Sequence, residues 1–445
     1  MNHLSHMEKY NKSILNEFWE IAWPSSLEGL LLVLLSAIDL IMVSSLGVEA
    51  TSAVGVFSQP KMVILCIPRS FSVAVTAYIS GMYGQKKFDC IKEGMKQSFI
   101  VSVFISFLIM LFVIIFIEEI LFIAGADIEY INEAVSYGKC IAISLYFNSI
   151  SIVLHSGFMG IGNSKIMMIS NVLGNIVNIF VNGLLIYGVW FFPKLGVTGA
   201  GIGTCVGSFI TLVFTLYVME IRNKYLSFLR FGKWVINKNI LKSFWKMFTG
   251  VFVEQSAERA GMFIYSRMVA SLGTLPFAVH TICMNLCDLY YSFAQGMGKA
   301  SLVLSSRYTA TKNNDNIKEL IKGSVKLGII FSFIAFLIYI IFGKSMISIY
   351  NSDTNVIILG KKIIIFVAVV SFPEMLAMIF SGILRGMNKF KYVATYSLIS
   401  IAILRPIITW VLSYYIGLGL YGAWIALVID QTMRCIFAFI GIKIR

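Results

Sequence analysis

Charge is scarce in this chain. Only 13% of its 445 residues are Asp, Glu, Lys or Arg, about half the usual share of roughly 25%. Histidine is scarcer, with four in all, and proline and cysteine number seven each. A soluble domain cannot keep its surface solvated on so little charge, and a disordered chain needs more of it. The cysteines are odd in number and form no Cys-x-x-Cys pair, which excludes a disulfide scaffold and the common zinc and thiol-redox motifs. His280, Cys283 and Cys287 share a helical face with Asp288 nearby, but they are too spread out along one helix for a compact ligand set, so helix packing is their expected role. The first 20 residues are polar and charged with no apolar core, so no cleavable signal peptide is expected. ATP-driven chemistry has no support: Gly296 to Ser301 lacks the spacing of a phosphate-binding loop, and Ala300 stands where Ser or Thr is required. No Gly-x-Ser-x-Gly run, His-Glu-x-x-His run or Ser/His/Asp constellation occurs, so an enzyme is not expected and no cofactor is implied.

What is abundant is apolar sequence: 58% of the chain, with a mean hydropathy of +0.84. At about 20 residues per spanning helix, that supplies about a dozen. Membrane strands would alternate over about 10 residues, whereas Ser98–Ile117 and Ile166–Phe192 are uncharged and mostly apolar at helix-spanning length. The expectation is an all-α integral membrane protein with twelve spanning segments, roughly 21–46, 52–80, 97–117, 134–160, 166–190, 197–221, 246–272, 277–306, 323–343, 361–384, 392–416 and 420–442.

The net charge of +14 would suggest nucleic acid in a soluble protein. Here it follows the loops, and no nucleic-acid partner is expected. Lys86, Lys87, Lys92 and Lys96 follow segment 2, Arg222 to Lys242 carries six bases after segment 6, and Arg385, Lys389 and Lys391 follow segment 10. The loop after segment 3 is acidic, with Glu118, Glu119, Asp127 and Glu129. Basic loops stay in the cytoplasm, so both termini are expected there, in a multi-pass plasma-membrane or inner-membrane protein.

The chain repeats itself. Ser45-Leu46-Gly47 returns as Ser271-Leu272-Gly273 and Ile91-Lys92-Glu93 as Ile317-Lys318-Glu319, both at an offset of 226. Ser156-Gly157 returns as Ser381-Gly382 at 225, and Leu195-Gly196 as Leu418-Gly419 at 223. Matches in one order at nearly one offset indicate two six-helix pseudo-repeat lobes. We expect a cytoplasmic segment 1–20, an amino lobe 21–221, a basic cytoplasmic linker 222–245 and a carboxyl lobe 246–445. An even helix count gives both lobes one orientation, with a site between them near the midplane.

Acids inside the apolar segments need a reason, since each costs roughly 2.5–3.5 kcal/mol at a helix centre. They are Glu28, Asp39, Glu254, Glu258, Asp288, Glu374 and Asp430. Glu28 and Asp39 are eleven apart and share a face; Glu254 and Glu258 are one turn apart. Two carboxylates that close in low dielectric hold a proton or a cation well, and carboxylate oxygens suit hard cations, so Glu254 and Glu258 are a candidate proton or cation site. The competing role is a static ion pair with an intramembrane base, for which Lys61, Arg69, Arg259, Arg267, Lys299, Arg405 and Arg434 are available. For Asp430 the nearest such base in sequence is Arg434, one turn on. The repeat places Glu254 on Glu28, but Asp39 on Tyr265 and Glu258 on Leu32. Asn171, Asn175, Asn178 and Asn182 form one polar stripe, either interhelical glue or a hydrogen-bond network linking Asp39 to a cation or substrate. Pro24, Pro60, Pro68, Pro373 and Pro406 are candidate kinks.

Together these features resemble the multidrug and toxic compound extrusion (MATE) family, in its NorM-like branch. Pro24, Asp39 and Leu46-Gly47 resemble the family's first helix; Glu254-Gln255 with Glu258, ahead of Leu272-Gly273, its seventh; Leu384-Arg385-Gly386 the turn after its tenth; and Leu418-Gly419 to Trp424-Ile425 the start of its twelfth. The likeness covers nearly the whole chain. It implies antiport of organic cations against sodium or protons by two lobes forming a V-shaped outward-open state. Cation coupling would then involve Asp39, Glu254, Glu258 and Glu374, with Glu258 and Glu374 as a possible sodium site and Glu28, Asn175, Asn178, Asn182 and Asp288 in the polar and substrate network. The expected partners are small organic cations and membrane lipids, and a monomer is expected. Two positions depart from the pattern: Asn182 sits where many members have aspartate, and Val370 where a tyrosine is usual. A lipid-linked-precursor flippase of the same superfamily is the alternative; it would favour a strongly cationic central cavity, whereas the central charges here are mixed.

Overall fold

A backbone in hydrocarbon must satisfy its own hydrogen bonds, which leaves helices as the natural form for long apolar runs. The computed structural model describes residues 2–232 and 234–443, with side chains from residue 14 onward. Among the described residues its regular secondary structure is all helical, with no β-strand. The first half runs α1 (Asn2–Ser44), α2 (Val48–Val56), α3 (Ser58–Gly84), α4 (Phe88–Ile115), α5 (Ile117–Ile123), α6 (Ile131–Gly160), α7 (Ser164–Tyr187) and α8 (Gly196–Tyr217). The second runs α9 (Lys238–Ala270), α10 (Thr274–Ala310), α11 (Asn314–Tyr350), α12 (Thr354–Gly386), α13 (Phe390–Ser397), α14 (Arg405–Trp410) and α15 (Leu420–Lys443).

Ten stretches of described residues are long and apolar enough to cross a membrane. The expected segments 7 and 8 fall on α9 and α10, helices of 33 and 37 residues that are not among these ten. Segment 2 is split at Phe57 into α2 and α3. Segment 11 is not one regular helix: π-helical turns at Leu398–Leu404 and Val411–Tyr415 flank α14. Pro406, at the start of α14, has no N–H to give, so the ladder widens around it. Pro24, Pro68 and Pro373 lie inside helices. Pro60 instead falls in the first turn of α3, where a missing N–H costs little.

Two compact units form, residues 1–29 with 249–445, and residues 30–248. The divisions fall inside α1 and α9 rather than in the loops. The amino-terminal part of α1 belongs with α10 because small residues let the backbones meet. Ser26 Oγ donates to the Phe293 carbonyl at 2.8 Å, and a Cβ on Gly296 would collide with Ser26. In the other unit, the linker is pinned to α4: Gln97 donates to the Val235 carbonyl at 2.7 Å and accepts from the Asn237 N–H at 3.1 Å.

The repeat extends to individual contacts. Tyr187 Oη donates to the Met42 carbonyl at 3.3 Å, and Tyr414 Oη to the Met268 carbonyl at 2.5 Å. Each hydroxyl also meets a serine, Ser45 and Ser271 respectively. Gly47 and Gly273 adopt φ of 120° and 115° at matching turns, a conformation that side chains resist.

Candidate functional site

In the unit of residues 30–248, Asp39 stands in the last third of α1. Asn182 of α7 donates its Nδ2 to Asp39 Oδ1 at 3.1 Å. The close approach of α8 behind Asn182 depends on Gly203, where any Cβ would collide with the amide oxygen. The rest of the asparagine stripe does not reach the acid. Asn178 donates to Thr204 Oγ1 at 3.3 Å, and Asn175 to the Asn171 carbonyl at 2.8 Å. Stripe geometry on one helix thus resolves into separate tasks, set by what each position faces. The buried amide oxygens of Asn178 and Asn182 have no hydrogen-bond partner among the described residues. Lys61 of α3, one of the intramembrane bases, acts electrostatically on Asp39. His155 is packed and hydrogen-bonded, to Thr215 at 3.0 Å and Ser170 at 2.9 Å.

In the other unit the acids separate into paired and unpaired. Glu254 of α9 is paired with Arg385 of α12 at 2.6 Å, and Ser397 Oγ donates to it at 3.5 Å. Glu28 lies 3.9 Å from Lys299. Asp430 of α15 is paired with Arg405, whose Nε donates to it at 3.0 Å, and Ser400 donates to it as well. The sequence-adjacent base, Arg434, donates instead to Gln431 Oε1 at 3.4 Å. The π-helical turns around α14 put Arg405 in the interior, 2% exposed, where its guanidinium lies 5.6 Å over the Tyr265 ring. Tyr265 is the repeat counterpart of Asp39, and it is filled from one side by this cation.

Glu258, Asp288 and Glu374 remain. Tyr291 Oη donates to Glu258 Oε1 at 2.9 Å. Glu374, buried on α12, has an Oε2 with no hydrogen-bond partner among the described residues. The charges acting on it are Asp288, Arg434, Arg405 and Glu258. Arg259 and Glu258 act on Asp288 in turn. Although Glu254 and Glu258 are one turn apart, they point to different partners, so Glu254, Glu258 and Glu374 do not form one three-carboxylate site. Among the described residues no group of three or more His, Cys, Asp or Glu is placed to hold a metal ion. His280 packs edge-on against Tyr265 and Trp424, at 5.3 and 5.7 Å.

Sequence reasoning missed Tyr291 and did not match Arg385 to Glu254. Arg385 stands out only as part of a turn motif, and nothing in the spacing ties it to a helix 131 residues earlier.

A family model described as MatE matches residues 24–184 and 250–411, most of the chain. A probable multidrug resistance protein NorM of Thermotoga maritima is 24% identical over 436 residues, covering 96% of this chain and 93% of its own length. Multidrug resistance protein MdtK of Photorhabdus laumondii is 23% identical, covering 92% and 91%. Among solved structures, the outward-facing conformation of a multidrug resistance MATE family transporter superposes with a TM-score of 0.89 at 20% identity, covering 97% of this chain and 95% of that one. A transporter of the wider superfamily from Pyrococcus furiosus gives 0.88 at 20% identity over the same shares. The all-helical fold is thus shared with multi-pass membrane transporters, and the match of the family model to both halves of the sequence places this chain in the MatE family.

Proposed function

We propose that the protein exports small organic cations across the plasma or inner membrane in exchange for sodium or protons, as a monomer that alternates access between its two halves. The reading includes twelve spanning helices, with α9 and α10 crossing as well, and both termini in the cytoplasm. Relatives named as multidrug resistance proteins support multidrug export, and the family supports transport. Glu374 carries the coupling assignment. A buried carboxylate whose Oε2 lacks a hydrogen-bond partner is costly unless it takes up a counter-charge in the working cycle. The charges of Asp288 and Glu258 act on Glu374, and hard cations favour carboxylate oxygens. On this reading Glu254 serves the site indirectly, by fixing Arg385. In the other half Asp39, held by Asn182, receives the substrate or a proton.

The test is ethidium release from liposomes containing the purified protein, driven by an imposed sodium or pH gradient. Gradient-dependent release supports coupled export. Release that ignores both gradients, or none at all from correctly folded protein, rejects it.

A further inference from the structure

Within the unit of residues 30–248, a cavity of about 390 Å³ lies between α3, α4, α6 and the first turns of α9. That volume falls in the range of small-ligand sites, roughly 300–1,000 Å³. The transport reading makes no use of it. Its walls are hydrocarbon: Pro68 and Phe71 of α3, Ile105 and Ile109 of α4, and Val153 of α6. Ser102 and Ser106 also line it, and the Ser102 hydroxyl is spent on the Phe99 carbonyl at 2.9 Å. A cavity so lined selects hydrocarbon over anything that must be hydrogen-bonded.

The rim differs from the interior. Lys242 and Trp245, three residues apart on α9, both border the cavity, and Trp245 is 65% exposed. Lys238, Lys242 and Lys246 recur every fourth residue, a basic stripe along one side of the helix. Beside the cavity, α4 presents Phe104, Leu108 and Phe112 outward at 62%, 49% and 56% exposure. So much exposed hydrocarbon on a spanning helix is a lipid-facing surface. Tryptophan and lysine at the end of such a surface mark the headgroup level, where the amphipathic ring and the cation each find a partner.

We propose that this cavity holds an acyl chain of an anionic phospholipid, with the lipid phosphate against Lys242 and its glycerol region against Trp245. Charge complementarity selects the occupant. A zwitterionic lipid offers the same chain but no net charge to a lysine stripe, whereas anionic lipid attracts each added base near the surface. The bound chain would also brace the start of α9. Phe244, in the cavity wall, stands edge-on to Phe71 at 5.5 Å and to Tyr78 at 5.2 Å. Phe248 meets Phe71 at 6.4 Å. A chain packed beside this cluster fills the space between α9 and α4 and holds the helix on α3.

The experiment uses the full-length protein in bilayers with phosphatidylglycerol or phosphatidylcholine carrying a diazirine on one acyl chain. Cross-linked peptides are mapped after illumination. The phosphatidylglycerol probe should label 101–109 and 241–248 several-fold more than the phosphatidylcholine probe. Ser106→Trp and Ile105→Trp, which fill the cavity, should each abolish that labelling while leaving labelling of the exposed α11 face intact. Lys242→Gln, at an exposed position, should bring the two probes to equal labelling. Equal labelling of the unaltered protein, labelling that survives both tryptophan variants, or a preference that survives Lys242→Gln would overturn the proposal. Transport is not measured, so the result is independent of the export reading.

Discussion

Arg385 donates to Glu254 across 2.6 Å, with the carboxylate side chain only 3% exposed. An acid held this way already has its counter-charge, which separates Glu254 from Glu258 although one turn of α9 joins them. Removing one partner of a buried pair strands the other, at a cost of about 3–5 kcal/mol, while replacing both with apolar groups is close to neutral. Arg385 is 19% exposed, so the lower end applies. Glu254→Gln should therefore lower the thermal unfolding midpoint of the purified protein, and Glu254→Gln with Arg385→Met should recover most of it. A single variant no less stable than the double would show that the pair contributes nothing.

Glu258 and Glu374 are expected to behave differently. Glu258→Gln and Glu374→Gln should each abolish ion-coupled efflux with normal expression and an unfolding midpoint within a few degrees of the unaltered protein. Tyr291→Phe should be intermediate. It removes one hydrogen bond to a charged group, about 1.5–3 kcal/mol, and so should weaken cation binding by roughly tenfold or more without ending transport. Full drug resistance in cells carrying either glutamine variant would make these acids structural.

The topology predicts what reagents can reach. After replacement of the seven native cysteines, single cysteines near Glu119 and Asp353 should react with an impermeant maleimide added to intact cells. One at Lys238 should react only after the cells are opened. Asp353 heads α12 and accepts from the Asn355 N–H at 2.7 Å, so the labelled position belongs beside it rather than on it. Labelling at Lys238 in intact cells would reverse the orientation, and with it the cytoplasmic assignment of both termini.

Much of the architecture was legible because it depends on short-range patterns. Apolar run length located the helices, and the 226-residue offset recurs in Met42 and Met268, whose carbonyls accept from Tyr187 and Tyr414. What was not legible is pairing. Asp430 has Arg434 one turn away in sequence, yet it pairs with Arg405, because π-helical turns around Pro406 carry that side chain inward. Helical periodicity has no term for such turns. Nor does a stripe of asparagines reveal that only Asn182 reaches Asp39, since that depends on the facing glycines of α8.

The two halves also invite a direct comparison of ion preference. Asp39 is a single carboxylate held by one amide, with Lys61 acting on it. A sodium ion stripped of water there would find one anionic ligand and a competing ammonium group. The other half offers Glu258, Asp288 and Glu374, whose charges act on one another, although Arg434 and Arg405 offset part of that negative charge. Several anionic oxygens repay more of the lost hydration than one does. Sodium is therefore expected to bind through Glu258 and Glu374, leaving Asp39 to substrate or to a proton step. Sodium-dependent quenching of tryptophan fluorescence should survive Asp39→Asn and disappear in Glu258→Gln. Loss of the signal in Asp39→Asn with retention in Glu258→Gln would move the ion to the other half of the molecule.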